Sequence, residues 1–381
     1  MKFIHTSDWH IGRYLHNQSL HQEQKAVLEQ ITKLAVDNDV DAIIVAGDIY
    51  DRSVPPATSV ELLNNALNQI LEHDIQVIMI AGNHDSHQRL GFGSSQMSNS
   101  GLHIIGPLSK ELCHIELKGK NSNAVFYTIP YAEPSRVREL FDCDVSTHEQ
   151  AMNVLLKQVH DHDSKGLPKV VMSHCFIDGG IDSESERPLS VGGADKISAA
   201  LFEPFDYVAL GHLHGPQYKG AEHVRYSGSP LKYSFSETSQ KKSVTLVEFF
   251  NDSNKPQISL LPLTSPRDVR VIDGELETIL EEGKTDPNSD DYILIRLQDK
   301  HAILDAMGKL RTVYPNVLHL ERVGLLASSE KTEIRRQHIK QNEMDMFSSF
   351  FSEMTGESLS EPQQQLMNVL LDNLHKNKDN G

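Results

Sequence analysis

Five short apolar runs in this chain each stop on a side chain that can bind a metal, and this repeated ending limits the folds open to it. Lys2-Phe3-Ile4-His5-Thr6-Ser7 runs into Asp8-Trp9-His10, and Ala42-Ile43-Ile44-Val45-Ala46 into Gly47-Asp48. Val77-Ile78-Met79-Ile80-Ala81 runs into Gly82-Asn83-His84-Asp85, Val170-Val171-Met172-Ser173 into His174, and Tyr207-Val208-Ala209-Leu210 into Gly211-His212-Leu213-His214. Short β-branched runs of this kind read as strands buried on both faces. In such sheets ligands sit outside the carboxyl ends of the strands. The pattern therefore predicts one point of convergence, carrying three carboxylates, one amide and five imidazoles.

Carboxylate, carboxamide and imidazole groups without thiolate suit a pair of divalent cations, with manganese or iron ahead of zinc and calcium disfavoured. Two such ions lie about 3.5–4 Å apart and need a shared ligand, which a carboxylate can be. The D-x-H and H-x-H spacings put both residues on one side of an extended segment. Gly47, Gly82 and Gly211 let the backbone turn tightly beside the ions.

Taken in order, D-x-H at 8–10, G-D-x-x-D at 47–51, G-N-H-D at 82–85, the lone His174 and G-H-x-H at 211–214 resemble the signature of the calcineurin-like metallophosphoesterases. Ser7-Asp8-Trp9-His10-Ile11-Gly12-Arg13 and Glu186-Arg187-Pro188-Leu189-Ser190-Val191-Gly192-Gly193 narrow the likeness to the SbcD family of double-strand-break-repair nucleases. No motif position departs from the pattern. The resemblance implies an α/β fold: a four-layer β-sandwich flanked by helices, with a small α+β capping domain and a helical tail. It implies Asp48 as the bridging carboxylate, with Asp8, His10 and His214 completing one metal site and Asn83, His174 and His212 the other. His84 is implied to hold no metal and to face the substrate as general acid or transition-state stabiliser. Chemistry agrees, because a phosphodiester transition state carries charge that two cations can clamp and a leaving group that an imidazole can protonate.

The same resemblance implies two Mn2+ ions, a 3′→5′ double-strand exonuclease and a single-strand or hairpin endonuclease. It implies action on double-stranded DNA ends and hairpins beside an SbcC-like coiled-coil ATPase, in DNA repair, replication and recombination, as a homodimer within a heterotetramer. Two other readings compete: a phosphodiesterase acting on small nucleotides, and a DNA-end-binding scaffold. The intact ligand set argues against the scaffold, and the further domain and tail argue against the small substrate. Asp51 and Asp85 read either as groups holding ligand imidazoles and loops or as plain turn caps. Arg13, Arg52 and Arg89 are candidates for phosphate contact, although a solvated or structural role is commoner for any one of them. Ser227-Gly228-Ser229-Pro230 fits a loop near the site or a simple turn. His5, His21, His73, His103, His148 and His160 read as surface or ordinary structural residues.

At 381 residues the chain exceeds one usual compact domain. A catalytic domain over 1–265, a capping domain over 266–335 and a partner-binding tail over 336–381 are expected. The net charge of −17 opposes unaided DNA binding, so a partner is expected to supply much of the grip. No run approaches 18 apolar residues and the N-terminus lacks a signal-peptide pattern, so no membrane association is expected. Cys113, Cys143 and Cys175 form no C-x-x-C pair and fit reduced thiols in the cytoplasm.

Helices are expected over 20–35 and 57–72, within a βαβαβ unit ending near 81. A loop is expected over 86–101, strands over 102–105, 111–117 and 124–129, a helix over 147–160 and a long polar connection over 178–198. Antiparallel strands follow near 222–227, 243–250 and 256–262, with Asn251 and Asp252 in their turn. Beyond Ser265-Pro266 come helices over 273–282 and 301–312 and strands over 292–297 and 316–322. The tail carries one stripe of Met346, Phe347, Phe350, Phe351 and Met354, and another of Leu366, Met367, Val369, Leu370, Leu371 and Leu374.

Overall fold

The apolar runs form strands that divide between two six-stranded sheets. The computed structural model describes residues 1–187, 189, 195–250, 253–323 and 343–378. Two compact units make up the chain, Met1–Val269 and Arg270–Gly381.

In the first sheet the order is Ser253–Pro262, Ser243–Phe250, Lys2–Thr6, Ala42–Val45, Gln76–Ile80, Leu102–Ile105. The last four run parallel, with Ile4 beside Ile43 and Ile43 beside Val77. The second sheet runs Gln217–Lys219, Ala221–Tyr226, Tyr207–Gly211, Lys169–His174, Asn123–Ile129, His114–Lys118. Its central strands are parallel too, and Gly211 lies beside His174 in the register.

Side chains alternate along each strand, so each sheet offers two apolar faces. Phe3, Ile44 and Ile78 from one sheet meet Phe126, Met172 and Tyr207 from the other in a shared core. On the outer face of the first sheet, Ile4, Ile43 and Val45 pack with Leu28 and Ile31 of helix His21–Asp37 and with Leu63 and Ile70 of helix Ala57–Leu71. Outside the second sheet, Val125, Val171 and Val208 pack with Val137 of helix Pro134–Phe141 and with Ala151, Leu155 and Val159 of helix His148–Asp161. The result is the expected layering of helix, sheet, sheet, helix. Thr147 and Gln150 form a capping box that starts the last of these helices.

Four local readings need correction. The stretch 86–101 is not a plain loop but holds two one-turn helices, His87–Leu90 and Ser94–Met97, and a 3₁₀ turn at Ser98–Ser100. The run near 222–227 is antiparallel on one side only: Ala221–Tyr226 pairs antiparallel with Gln217–Lys219 but parallel with Tyr207–Gly211, while the later antiparallel hairpin belongs to the first sheet. Helix Pro134–Phe141 went unread because only two of its positions are buried. In the second unit the strand Val269–Gly274 reaches past 273, so the helix there starts at Leu276, and the expected 301–312 helix shrinks to Ala306–Arg311.

The second unit is a three-stranded sheet in the order Val269–Gly274, Tyr292–Leu297, Val317–Arg322. Its core is built from Ile279, Ile293, Ile295, Leu310 and Val317. Helices Glu343–Thr355 and Glu361–Lys378 follow. The expected boundary at 335, the Asn251-Asp252 turn and Pro188, Ser190, Val191, Gly192 and Gly193 of the quoted motif lie outside the described residues, as do the side chains of Met346, Val369, Leu371 and Leu374. No helix among the described residues is long and apolar enough to cross a membrane.

A buried polar residue helps to link the two sheets. His5 is fully buried. Its Nε2–H donates to the Leu210 carbonyl at 3.2 Å, and its Nδ1 accepts from the Tyr207 hydroxyl at 2.9 Å. Burial pushes its pKa down to about 3, from an ordinary 6.5. The unfolded chain therefore takes up this proton first as pH falls, and the contribution to stability is complete above about pH 6.5 and lost toward pH 3. Replacing His5 by Gln should make the loss of unfolding free energy between pH 7 and pH 5 about 2 kcal/mol smaller than in the parent. Urea denaturation at the two pH values measures this; equal losses in both proteins would contradict it.

Candidate metal centre

Three of the five strands hand their terminal residues to a loop in an unusual backbone conformation. Asp8, His10, Asp48 and His212 all have positive φ, at 54°, 42°, 52° and 112°. Such values are unfavourable for residues with a Cβ, and when they cluster they mark functional sites. Main-chain bonds hold them: Asp8 N–H donates to Gly47 O at 3.0 Å and His10 N–H to Asp48 O at 2.9 Å. The Asp85 carboxylate ties the second and third loops together by accepting from the N–H groups of Ile49, Tyr50 and Gly82 at 2.9–3.1 Å. Burial, and then the neighbouring Asp48, push Asp85 up to about 7. Asp85 thus joins loops rather than holding an imidazole.

Of the three motif glycines, only Gly47 has a positive φ, +94°. Close approach is the reason at the other two. A Cβ on Gly82 would lie 2.2 Å from Asp48 Oδ1, and one on Gly211 would lie 1.8 Å from Ala46 O.

The predicted ligands converge. Three sets can bring ligand atoms within 4.8 Å of one another: Asp8, His10 and His214; His10, Asp48 and His84; and Asp8, Asp48 and His174. His174 donates through Nδ1 to Ala46 O at 2.9 Å. Its Nε2 then carries a lone pair, and it faces Asn83 Oδ1 at 2.9 Å and Asp48 Oδ2 at 3.6 Å. His10 Nε2 lies 3.1 Å from His214 Nε2 and 3.5 Å from Asp48 Oδ2. His212 is less tightly drawn in. Its backbone N–H donates to both Asp8 oxygens at 3.0 and 3.2 Å, and its ring stands edge-on to that of His174 at 5.5 Å.

Burial holds His10, His174 and His212 below the usual imidazole range, and so neutral. Burial and then Asp48 hold Asp8 well above the usual carboxylate range. His10 Nδ1 is buried without a hydrogen bond; Asp51 Oδ1 is 3.8 Å away. A lone pair of His174 thus faces the Asn83 oxygen, and the Asp8 and Asp48 carboxyl groups crowd together among buried imidazoles. Divalent cations are what this donor set fits.

His84 lies at the rim. Its Nδ1–H donates to Asp51 O at 2.9 Å, its backbone N–H donates to Asp48 Oδ1 at 2.9 Å, and its ring stands edge-on to His10 at 4.6 Å. One ring nitrogen is therefore committed to the protein and Nε2 is left for another partner. Arg13 is spent on the scaffold, donating to Asp51 Oδ1 at 2.8 Å and to Ser185 O at 2.9 Å. Arg52 and Arg89 are exposed. Cys175 is buried, with its thiol pushed up to about 12 by burial, as an inert core residue.

Four residues that support the site were given no place at it by the sequence reading, although Glu186 opens one of the quoted motifs: Ser185, Glu186, Glu237 and Lys242. Ser185 contacts His214 Nδ1 at 2.6 Å, and Glu186 Oε1 accepts the His214 backbone N–H at 2.7 Å. The length and polarity of the 178–198 connection were the signal for the first two. Glu237 and Lys242 carry no local signal, because they reach His214 only through the fold.

Residues 1–216 match the family model described as calcineurin-like phosphoesterase. Residues 265–355 match one described as the C-terminal domain of Type 5 capsule protein repressor. The SbcD chain of the SbcCD nuclease of Staphylococcus epidermidis is 35% identical over 375 residues, covering 97% of this chain and 98% of that protein. Among solved structures, a Thermus thermophilus protein aligns with a TM-score of 0.38 at 15% identity, over 68% of this chain and 98% of its own. A dimetal phosphatase from Danio rerio aligns with a TM-score of 0.38 at 12% identity, over 70% and 97%.

The close approach of Gly82 to Asp48 can be tested directly. A Gly82→Ala methyl must push the Asp48 carboxylate aside, and should weaken binding of added Mn2+ by on the order of tenfold or more while leaving the fold intact. Calorimetric titration, with circular dichroism as the check on folding, would expose an error if the affinity were unchanged.

Proposed function

The chain belongs to the calcineurin-like phosphoesterases and, within them, to the SbcD nuclease family, and from that premise we propose that it is a metal-dependent nuclease that hydrolyses DNA phosphodiesters. The observation that carries this reading is the buried ring of facing acceptor atoms around Asp48, formed by Asp8, His10, His174 and His214. We assign Asp48 as the shared ligand of two ions, with Asp8, His10 and His214 on one and Asn83, His174 and His212 on the other. When bound, the two divalent ions, manganese in this reading, offset the charge that develops on the phosphodiester and activate water as the nucleophile.

The protein's own part is orientation and proton transfer. Asp51 O fixes the His84 ring through Nδ1–H, so that the ring in its imidazolium form can deliver its second proton, on Nε2, to the leaving oxygen and return to the neutral Nδ1–H form. The Asp85 carboxylate holds the loops that carry Asp48 and Asn83 in register.

We propose the finer activity as 3′→5′ exonuclease on double-stranded ends and endonuclease on single strands and hairpins, in the cytoplasm. The division into a nuclease domain over 1–265, a capping domain over 266–335 and a partner-binding tail over 336–381 belongs to the same proposal. Exposed apolar side chains on the last two helices support a docking role: Phe350, Met354, Leu366 and Leu370 are 42–63% exposed. Stripes of this kind suit a helix laid in an apolar groove, and we assign the groove to an SbcC-like coiled-coil ATPase within a heterotetramer holding two copies of this chain. The net charge of −17 supports a partner that brings DNA to the site.

End-labelled linear and hairpin duplexes, digested in Mn2+ with and without the ATPase, test the reading. The parent should cut both substrates, and His84→Ala should keep its bound metal while losing on the order of 10²–10⁴ in rate. Metal loss in His84→Ala, or an undiminished rate, would refute the assigned role. A parent inert on DNA with the ATPase present would refute the function.

A further inference from the structure

We propose that Ser185 and Glu237 are positioning residues that fix the His214 imidazole in the one tautomer able to hold an ion. The inference rests on the reading of His214 as a metal ligand. Glu237 is fully buried, and its Oε2 accepts from Lys242 Nζ at 2.7 Å. Beside an ammonium it is a carboxylate, which can only accept. Ser185 Oγ approaches Glu237 Oε1 at 2.6 Å, so the single hydroxyl proton of Ser185 goes to Glu237. The oxygen of Ser185 is then left to accept, and its other short contact is His214 Nδ1 at 2.6 Å. His214 must therefore carry its proton on Nδ1, which leaves the lone pair on Nε2. That is the atom 3.1 Å from His10 Nε2.

Glu237 is held at several points, with the Tyr233 N–H and the Ser234 hydroxyl donating to Oε1 at 3.1 Å each. Lys242 Nζ also donates to the carbonyl of His214 itself at 2.9 Å and to Ser229 Oγ at 2.8 Å. Glu186 takes the His214 backbone N–H, and Arg13 holds the Ser185 carbonyl. Ring and main chain of His214 are thus gripped by one connected network. A buried ion pair such as Glu237–Lys242 seldom adds net stability; its retention fits the task of aiming an imidazole.

The test uses the full chain and Mn2+, titrated calorimetrically and followed by electron paramagnetic resonance. His214→Ala identifies which of the two ions His214 holds. Ser185→Ala leaves the Glu237–Lys242 pair intact and should weaken that same ion by on the order of 10–100-fold, with the other ion unchanged. Saturating Mn2+ should restore DNA cleavage by Ser185→Ala, which a loss of fold would not allow. If His214→Ala weakens one ion and Ser185→Ala weakens neither, the relay is wrong while the metal assignment stands. If Ser185→Ala weakens both ions equally, the hydroxyl supports the loop and not the ring, and the proposal is overturned. If His214→Ala leaves both ions unchanged, the ligand assignment itself fails and the relay with it.

Discussion

Lone pairs brought face to face are the constraint on which the rest of this structure depends. His174 Nε2 meets Asn83 Oδ1, His10 Nε2 meets His214 Nε2, and the Asp8 and Asp48 carboxylates share one buried space. Without a cation this arrangement is unfavourable, since His174 Nε2 and Asn83 Oδ1 turn lone pairs on each other and two carboxyl groups are crowded together among buried imidazoles. Around it the protein accepts further local strain. Four site residues adopt positive φ, and two loops approach so closely that only glycine fits at 82 and 211. The two sheets tolerate this because their strands are held on both faces by apolar packing. Rigid strands deliver the side chains, and the loops need only a few backbone bonds to complete the cup.

The core of the site could be read from the sequence because it is local. Each ligand sits at the end of its own apolar run, and strand ends on one side of a parallel sheet must gather. What the sequence did not carry is the division of the five runs between two sheets, since periodicity describes a strand and not its neighbour. The same limit applies to Ala221–Tyr226: nothing in its residues tells that one neighbour, Gln217–Lys219, is antiparallel and the other, Tyr207–Gly211, parallel. Helix Pro134–Phe141 is too short for a stripe to emerge, and the one-turn helices after residue 86 are shorter still. Glu237 and Lys242 were invisible because their partners are remote in the chain; Glu237 lies 52 residues from Ser185. His5, by contrast, was read as a plain structural residue, and it is one, although its role in joining the sheets needed the fold to reveal it.

Charge separates what the metal centre does from what the chain must borrow. The site's carboxylates suit cations, but a chain with 53 acidic and 36 basic residues presents little to attract a polyanion. A phosphodiesterase on DNA with this balance depends on its ions and on a partner for grip. The apolar side chains left exposed on helices Glu343–Thr355 and Glu361–Lys378 are consistent with such dependence. In the proposed function, acidic charge and apolar tail are two sides of one division of labour, in which chemistry is kept in this chain and substrate capture is shared.

The account stands or falls on the centre itself. Crystals soaked in Mn2+ and measured at the manganese absorption edge would report it most directly. Two anomalous peaks about 3.5–4 Å apart are predicted, with the Asp48 carboxylate touching both. A single peak, or a pair that Asp48 does not bridge, would contradict it.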